Sequence, residues 1–194
     1  MIKTTAMMLD ELKNYASPKN KLSRMAKSGE IVQIVKGLYE TDCNTPPYLL
    51  AGSIYGPSYI SFDFALSFYG LIPEKAQAVT CATFEKKKKK KYETPFGLFT
   101  YQDVPPGAFP LYVRIYKEGD YYYRIALPEK ALCDKLYTLS SVRNVKELSA
   151  LLFEDLRIDE QEFQKLNAEI IQDLNEKYHA TNIKKLCSLL RRLK

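Results

Sequence analysis

The sequence has no tryptophan, one histidine and four widely spaced cysteines, and these scarcities narrow the chemistry that it can perform. Cys43, Cys81, Cys133 and Cys187 form no C-x-x-C or C-x-x-H pair, so the sequence predicts neither a disulfide framework nor a structural zinc site. His179 alone cannot build a histidine-based metal site or a relay of two histidines. We therefore expect reduced thiols, no metal and no cofactor.

Glycine-rich phosphate loops and long apolar runs are missing as well. The eight glycines form neither G-x-x-x-x-G-K-[ST] nor G-x-G-x-x-G. The apolar stretch at residues 6–9 is too short for a signal peptide, and the uncharged stretch at 43–62 contains three prolines and two glycines, which break a spanning helix. We expect a cytoplasmic protein that does not contact a membrane.

The basic charge of the chain has a single origin. The net charge is +6, but six of the 29 basic residues are consecutive, and the remaining 23 balance the 23 acidic residues. This lysine segment consists of Lys86, Lys87, Lys88, Lys89, Lys90 and Lys91. Burying unpaired ammonium groups is costly, so the segment must project into solvent. We predict that it contacts the phosphate backbone of nucleic acid, with a merely solvated loop as the alternative.

Residues 1–42 predict a winged helix-turn-helix that binds double-stranded DNA. Apolar residues at helical spacing predict a helix over residues 6–15, and Ser17-Pro18 and Gly29 are typical of the start and end of a second helix. Residues 31–34 and 38–40 predict a hairpin. In this fold the polar face of the second helix enters the major groove. The predicted DNA-contacting residues here are Lys19, Asn20, Lys21, Ser23, Arg24, Lys27 and Lys36.

Residues 43–194 predict an α+β domain. The segments 77–84, 98–104, 111–117 and 121–126 indicate a mixed or antiparallel sheet of at least four strands, and 92–97 indicates a turn. Helices are predicted from 46 to 54, from 62 to 69 and from residue 128, the last with an inner face that includes Tyr137.

A helical tail is predicted from about residue 144. Asn144 and Asp159 are predicted to cap tail helices, and Asn182 directly precedes another. Residues 184–194 carry five basic residues and no acid, so this last helix either contacts nucleic acid or an acidic partner or is simply solvated.

Four segments of the chain, in this order, resemble a known family. They are GEIVQIVKGLY at 29–39, PSYIS with its continuation to LIPE at 57–74, YETPFG at 92–97 and IALPEKALCD at 125–134. Together they resemble the AbiEi family of antitoxins from type IV toxin–antitoxin systems, which act in abortive infection as phage defence. The resemblance covers roughly residues 20–139.

This resemblance implies an N-terminal winged helix that represses transcription of its own operon, and a C-terminal domain required for antitoxin activity. The toxin in such systems is a nucleotidyltransferase-like protein, which the antitoxin counters without a stable complex as a rule. The expected partners are thus operator DNA and, functionally, this toxin. We expect a monomer or weak dimer and no enzymatic activity.

Two alternatives come from the residues alone. Asp63 followed by Glu85-Lys86-Lys87 matches the acidic and lysine pattern of metal-dependent nucleases, although any acid before six lysines would match it. The second alternative is a protein-interaction module, because tyrosines suit interfaces. The tyrosines concerned are Tyr112, Tyr116, Tyr121, Tyr122 and Tyr123.

Overall fold

The N-terminal module, residues 1–40, combines a small sheet with two helices in the computed structural model, which describes residues 1–193. Its elements are β1 (Ile2–Thr4), α1 (Thr5–Glu11), α2 (Pro18–Ser28), β2 (Val32–Val35) and β3 (Leu38–Glu40). The sheet is antiparallel, with β3 between β1 and β2. The two helices and the hairpin match the prediction. Strand β1 was not predicted, because three residues that pair with a distant strand leave no local pattern.

Helix α2 has the boundaries that its sequence predicts, whereas α1 is shorter than predicted. Ser17 is the N-cap residue of α2, Pro18 begins the helix, and Gly29 ends it in the left-handed conformation, with a φ of 77°. Helix α1 ends at Glu11 instead of residue 15, and Tyr15 is 51% exposed. Leu12 is the C-cap residue of α1, and its backbone N–H makes the last helical hydrogen bond, to the carbonyl of Met8 at 3.1 Å.

A mixed six-stranded sheet forms the body of the chain. Its strands are β4 (Tyr59–Ile60), β5 (Ala78–Thr83), β6 (Lys90–Thr94), β7 (Gly97–Asp103), β8 (Val113–Glu118) and β9 (Tyr121–Ala126). They lie in the order β6-β7-β5-β4-β9-β8. The pairs β5–β7 and β4–β9 are parallel and the others are antiparallel. The predicted mixed or antiparallel sheet of at least four strands is confirmed.

Helices pack around this sheet, and the tail is helical as predicted. They are a 3-10 turn (Pro47–Leu50), α3 (Ala51–Ile54), α4 (Phe62–Phe68), α5 (Pro128–Tyr137), α6 (Val145–Ala150), a π-helical turn (Leu151–Asp155), α7 (Glu160–Gln164), α8 (Ala168–Tyr178) and α9 (Thr181–Leu193). Helix α5 contacts α4, α8 and α9. Lys194, the last residue of the predicted basic helix, lies outside the described residues. Nowhere in residues 1–193 is a helix both long and apolar enough to cross a bilayer.

Three sequence expectations are wrong in detail. The segment 92–97 is not a turn throughout: β6 runs over Lys90–Thr94, and the turn is confined to residues 95–96. Lysines have low strand propensity, so only the pairing with β7 explains this strand. Tyr137 is 41% exposed instead of facing inward. Asn182 does not precede α9 but lies inside it, where its buried amide donates to the carbonyls of Leu136 and Ser140.

The N-terminal module contributes residues to two hydrophobic cores, and one of them connects it to the body. Met8, Leu12, Leu22 and Ile31 form a small cluster that joins α1 and α2 to the module's own sheet. Ile34 of β2 belongs instead to the large core of the body. Strand β2 also contacts β6, the strand that contains the last two residues of the lysine segment. The module is therefore packed on the body beside the most basic part of the sequence.

Candidate nucleic-acid interface

One face of α2 is polar, basic and open to solvent. Asn20, Ser23, Arg24 and Lys27 are exposed and follow the i, i+3, i+4, i+7 spacing that places residues on one side of a helix. Lys19 is exposed beside them. No acid occurs in α2, so no carboxylate of this helix neutralises the face. Such a face can approach phosphates without repulsion and offers arginine and asparagine side chains for base edges.

Two open grooves flank this helix. The first has a volume of about 620 Å³ and is lined by the exposed face of α2, including Asn20 and Arg24, together with Tyr15. The second, of about 630 Å³, lies between α2 and the hairpin strands and includes Lys19, Lys27 and Gln33. Ser23 and Lys27 of α2 line both grooves.

The two remaining predicted contacts of the module differ from each other. Lys36 is exposed at the two-residue tip of the β2–β3 hairpin, where Gly37 has a φ of 88°. Lys21 is only half-exposed: its Nζ lies 3.8 Å from a carboxylate oxygen of Glu30 and 5.6 Å from the ring centre of Tyr15. Lys21 therefore makes contacts within the module, and the ammonium group of Lys36 is the more accessible of the two to a DNA phosphate.

The lysine segment projects into solvent as its charge requires. Lys87, Lys88, Lys89 and Lys91 are exposed, and Lys86 and Lys90 are half-buried. The Lys86 ammonium lies 5.4 Å from the ring centre of Tyr55, within range of a cation–π contact. The backbone N–H of Lys87 donates to Asp103 Oδ2 at 2.6 Å, which ties the loop to the end of β7. The loop is thus anchored by its backbone while most of its ammonium groups remain free.

The two acids of the nuclease-like pattern, Asp63 and Glu85, have different surroundings in the structure. Lys135 of α5 holds the Asp63 carboxylate at 2.7 Å, whereas Glu85 is exposed in the loop after β5. No group of three or more histidine, cysteine, aspartate or glutamate side chains able to hold a metal ion occurs in residues 1–193. The Asp63 carboxylate serves as half of an ion pair between α4 and α5.

Most tyrosines of the β8–β9 hairpin make contacts within the chain. Tyr116 and Tyr123 stack with ring centres 5.6 Å apart, and the Tyr112 hydroxyl donates to Asp173 at 2.9 Å. The Tyr121 hydroxyl lies 3.3 Å from Thr45 Oγ1. Only Tyr122 of the five is largely exposed, at 67%. The predicted tyrosine-rich interaction surface is therefore reduced to one prominent ring.

A buried polar cluster, which the sequence does not predict, lies under the sheet and α5. Lys130 and Asp134 are fully buried and form an ion pair with Nζ and Oδ1 2.9 Å apart. Tyr59 and Ser61 donate to Asp134 Oδ2 at 3.0 and 2.6 Å, and the Tyr178 hydroxyl contacts both charged groups. Two segments of the AbiEi-like pattern, 57–74 and 125–134, therefore meet at one carboxylate.

Burial controls the protonation of this cluster. It raises the pKa of the Tyr59 and Tyr178 hydroxyls, and the negative charge of Asp134 raises each pKa further. Burial also lowers the pKa of the Lys130 ammonium, against the opposing attraction of Asp134. Only the i, i+4 spacing of Lys130 and Asp134 on α5 could have signalled this pair from sequence, and that spacing is equally typical of an exposed helix surface.

Neither a scan of protein-family models nor a search of curated proteins finds a match to this chain.

Proposed function

We propose that this protein is a DNA-binding repressor of its own operon and the antitoxin of a type IV toxin–antitoxin system. The N-terminal module would act as a winged helix, with α2 in the major groove and the β2–β3 hairpin as the wing along the backbone. The observation that carries the DNA-binding half is the exposed, acid-free face of α2 with Asn20, Ser23, Arg24 and Lys27 in one row.

Charge placement supports the same proposal. The lysine segment follows β5 and enters β6, and β6 contacts β2 of the N-terminal module. Lysines that neutralise phosphates release counterions and strengthen binding without selecting a sequence. We therefore assign base recognition to Asn20 and Arg24, and phosphate contacts to Lys19, Lys36 and the lysine segment.

A reporter assay tests repression. The DNA upstream of this reading frame is fused to a reporter gene, and the protein is supplied as the parent or as a single-site variant. We expect Arg24→Ala to relieve repression, because the residue is exposed on the proposed recognition helix. Arg143→Ala removes another exposed arginine, one outside the module, and should repress like the parent. Equal repression by both variants would contradict the assignment of α2.

The antitoxin half of the proposal rests on the four AbiEi-like segments. A neighbouring reading frame for a nucleotidyltransferase-like protein supports it, and co-expression tests it. We expect this chain to restore growth that the neighbour inhibits, and Arg24→Ala to restore growth equally well, because antitoxin activity is assigned to the body. Failure of the parent chain to restore growth would contradict the antitoxin assignment. It would not affect the proposed repression, which the reporter assay tests.

A further inference from the structure

A pocket of about 390 Å³ lies between the sheet and the α4–α5 pair, away from the face of α2. Its sheet side includes Thr80, Thr100 and Gln102, and its helix side includes Phe62 and Thr138. The volume falls within the range of small-molecule sites, which are few per protein and combine apolar walls with a small number of polar groups.

Strand pairing explains how the sheet side of the pocket is built. Thr80 of β5 pairs with Thr100 of β7, and Thr100 pairs with Lys91 of β6, so the three residues form one row across three neighbouring strands. Gln102 lies two positions further along β7 and thus on the same face as Thr100. The row places the side chains of Thr80, Thr100 and Lys91 on one face of the sheet, where all three line the pocket.

Half of the lysine segment belongs to this pocket. Lys89, Lys90 and Lys91 line it, whereas Lys86, Lys87 and Lys88 do not. The pocket's own acid does not offset these charges, because the Asp63 carboxylate is already held by Lys135, at 2.7 and 2.8 Å. Glu93 pairs with Lys91 at 2.7 Å and offsets part of its charge, so the excess positive charge of the rim comes mainly from Lys89 and Lys90. The rim of the pocket is therefore strongly cationic.

From this geometry we propose that the pocket binds a nucleoside polyphosphate. Lysines 89–91 at the rim match the several negative charges of a polyphosphate chain. The hydroxyl of Thr100 and the amide of Gln102 suit a hydroxylated sugar and a hydrogen-bonding base, and Phe62, which is only 4% exposed, forms part of the apolar wall. The pocket contains no residue of α2, but Lys89, Lys90 and Lys91 also belong to the lysine segment to which the proposed function assigns DNA phosphates. ATP binding is therefore measured without DNA, so that failure of one proposal is distinguishable from failure of the other.

The floor of the pocket is held in place before a ligand binds. The Thr80 hydroxyl donates to the backbone carbonyl of Ser61 at 2.5 Å and accepts from the N–H of Phe64 at 3.0 Å. Both contacts join β5 to the start of α4. The Tyr101 hydroxyl donates to the carbonyl of Ala51 at 2.8 Å and so fixes β7 beside them. A preorganised site loses less free energy on ligand ordering.

The lysine segment supplies its own matched control. Binding of ATP is measured by isothermal titration calorimetry for the parent, for K89Q/K90Q/K91Q and for K86Q/K87Q/K88Q, two variants in which the same amount of positive charge is removed. We expect the first variant to weaken ATP binding about tenfold or more and the second to leave it within about twofold. Equal weakening in both variants would overturn the proposal, because it would show attraction to a polycation instead of binding in a pocket.

A neutral variant and a smaller probe test the pocket itself. Thr138 is exposed at the end of α5, so Thr138→Trp should fill the pocket without unfolding the chain, which thermal melting would verify. We expect this variant to lose ATP binding with its charge unchanged. We also expect inorganic triphosphate to bind the parent about tenfold more weakly than ATP, because it lacks the base and sugar. Triphosphate binding as tight as that of ATP, or unchanged binding in Thr138→Trp, would contradict the proposal.

Discussion

Asp134 is the residue on which most of the buried polar contacts converge. It accepts from Lys130, Tyr59, Ser61 and Tyr178, and three different parts of the chain supply these donors. A buried carboxylate is tolerated only when it is paired and hydrogen-bonded, and removing one partner leaves the others with an uncompensated charge. The cluster therefore couples β4, α5 and α8 through a single side chain.

Two neighbouring serines allow this coupling to be measured. Ser61→Ala removes a 2.6 Å hydrogen bond to the Asp134 carboxylate, and bonds to charged groups are worth about 1.5–3 kcal/mol. Ser58 is also buried, but its hydroxyl has no hydrogen-bond partner, so Ser58→Ala should not lower the free energy of unfolding. Urea denaturation of both variants checks this. Equal destabilisation by the two substitutions would show that Ser61 does not support the carboxylate.

At the residue scale, the sequence predicts which side chains are exposed on α2, but it does not predict which charged side chains are buried. The exposed positions of α2 follow from helical periodicity, and Leu22 is buried on the opposite face as that periodicity requires. Lys130 and Asp134 could not be predicted as buried, because each is charged and the further partners that stabilise the buried pair, Tyr59, Ser61 and Tyr178, come from distant segments. Likewise, Ser61 was predicted only as a helix cap, yet its side chain makes no capping bond and serves Asp134.

At the scale of the elements, the C-terminal end of α2 depends on one residue, Gly29. Gly29 closes the helix with a φ of 77°, and its backbone N–H donates to the carbonyl of Met25. For a residue with a Cβ this conformation costs about 1–2 kcal/mol. We expect Gly29→Ala to destabilise the protein by about 1 kcal/mol.

Gly52 provides the control for this substitution. It lies in α3 without a positive φ, and a Cβ added there would meet nothing within 4 Å. Gly52→Ala should therefore stabilise the protein by about 0.5–1 kcal/mol, as helix propensity requires. Chemical denaturation of both variants measures the difference, and a stabilising Gly29→Ala would contradict the proposed role of the left-handed cap.

The salt dependence of DNA binding tests whether the lysine segment contacts phosphates. Replacing residues 86–91 with glutamine should flatten the plot of log affinity against log salt concentration by about 0.9 for each phosphate that is no longer neutralised. The measurement is fluorescence anisotropy with duplex DNA at several salt concentrations. Because lysines contact phosphates and not bases, the change should be the same for any duplex sequence. An unchanged slope would exclude the segment from the DNA-binding surface.

Elements with strong end signals were predicted well, and those that depend on distant pairing were not. Pro18, Gly29, Asn144 and Asp159 mark helix ends where the structure has them, since caps and prolines act locally. Strand β4 was not predicted, because it is two residues long and is defined by its pairing with β5 and β9. Strands β1 and β6 were not predicted either, because the first is three residues long and the second begins in lysines. Their partners β3 and β7 supply the hydrogen bonds that define them.

Across the whole molecule, buried tyrosines predict a decrease in stability at alkaline pH. Burial raises the pKa of Tyr59, Tyr101 and Tyr178 above the ordinary value of about 10. Above pH 10 the unfolded chain releases these protons and the folded chain keeps them, so the unfolded state is favoured. The lowered pKa of Lys130 acts in the opposite direction, but only up to about pH 10.4, where an unfolded lysine loses its proton.

We therefore expect the free energy of unfolding to fall above about pH 10.5, by up to about 1.4 kcal/mol per pH unit for each buried tyrosine. Tyr178→Phe should make this dependence shallower, whereas Tyr122→Phe, at a side chain that is 67% exposed, should leave it as in the parent. Denaturation at pH 9.5–11.5 (a range of about two pH units around the tyrosine pKa) provides the comparison. The same slope in all three proteins would show that the buried hydroxyls do not govern alkaline unfolding.

The organisation of the whole molecule places a basic helix, a hairpin and a lysine segment on a body with a buried polar centre. The order of helices, hairpin and mixed sheet follows from local patterns in the sequence. The packing of β2 against β6, which brings the lysine segment next to the N-terminal module, does not, because no local pattern encodes contacts between distant strands.

Specificity of DNA binding tests the central claim most directly. Affinity is measured by anisotropy for a duplex from the upstream region of this reading frame and for a shuffled duplex of equal composition. We predict that the parent prefers the upstream duplex and that Arg24→Ala weakens its binding by about 1–3 kcal/mol while the shuffled duplex is affected less. If Arg24→Ala binds the upstream duplex as tightly as the parent and as tightly as Arg143→Ala, α2 does not read DNA.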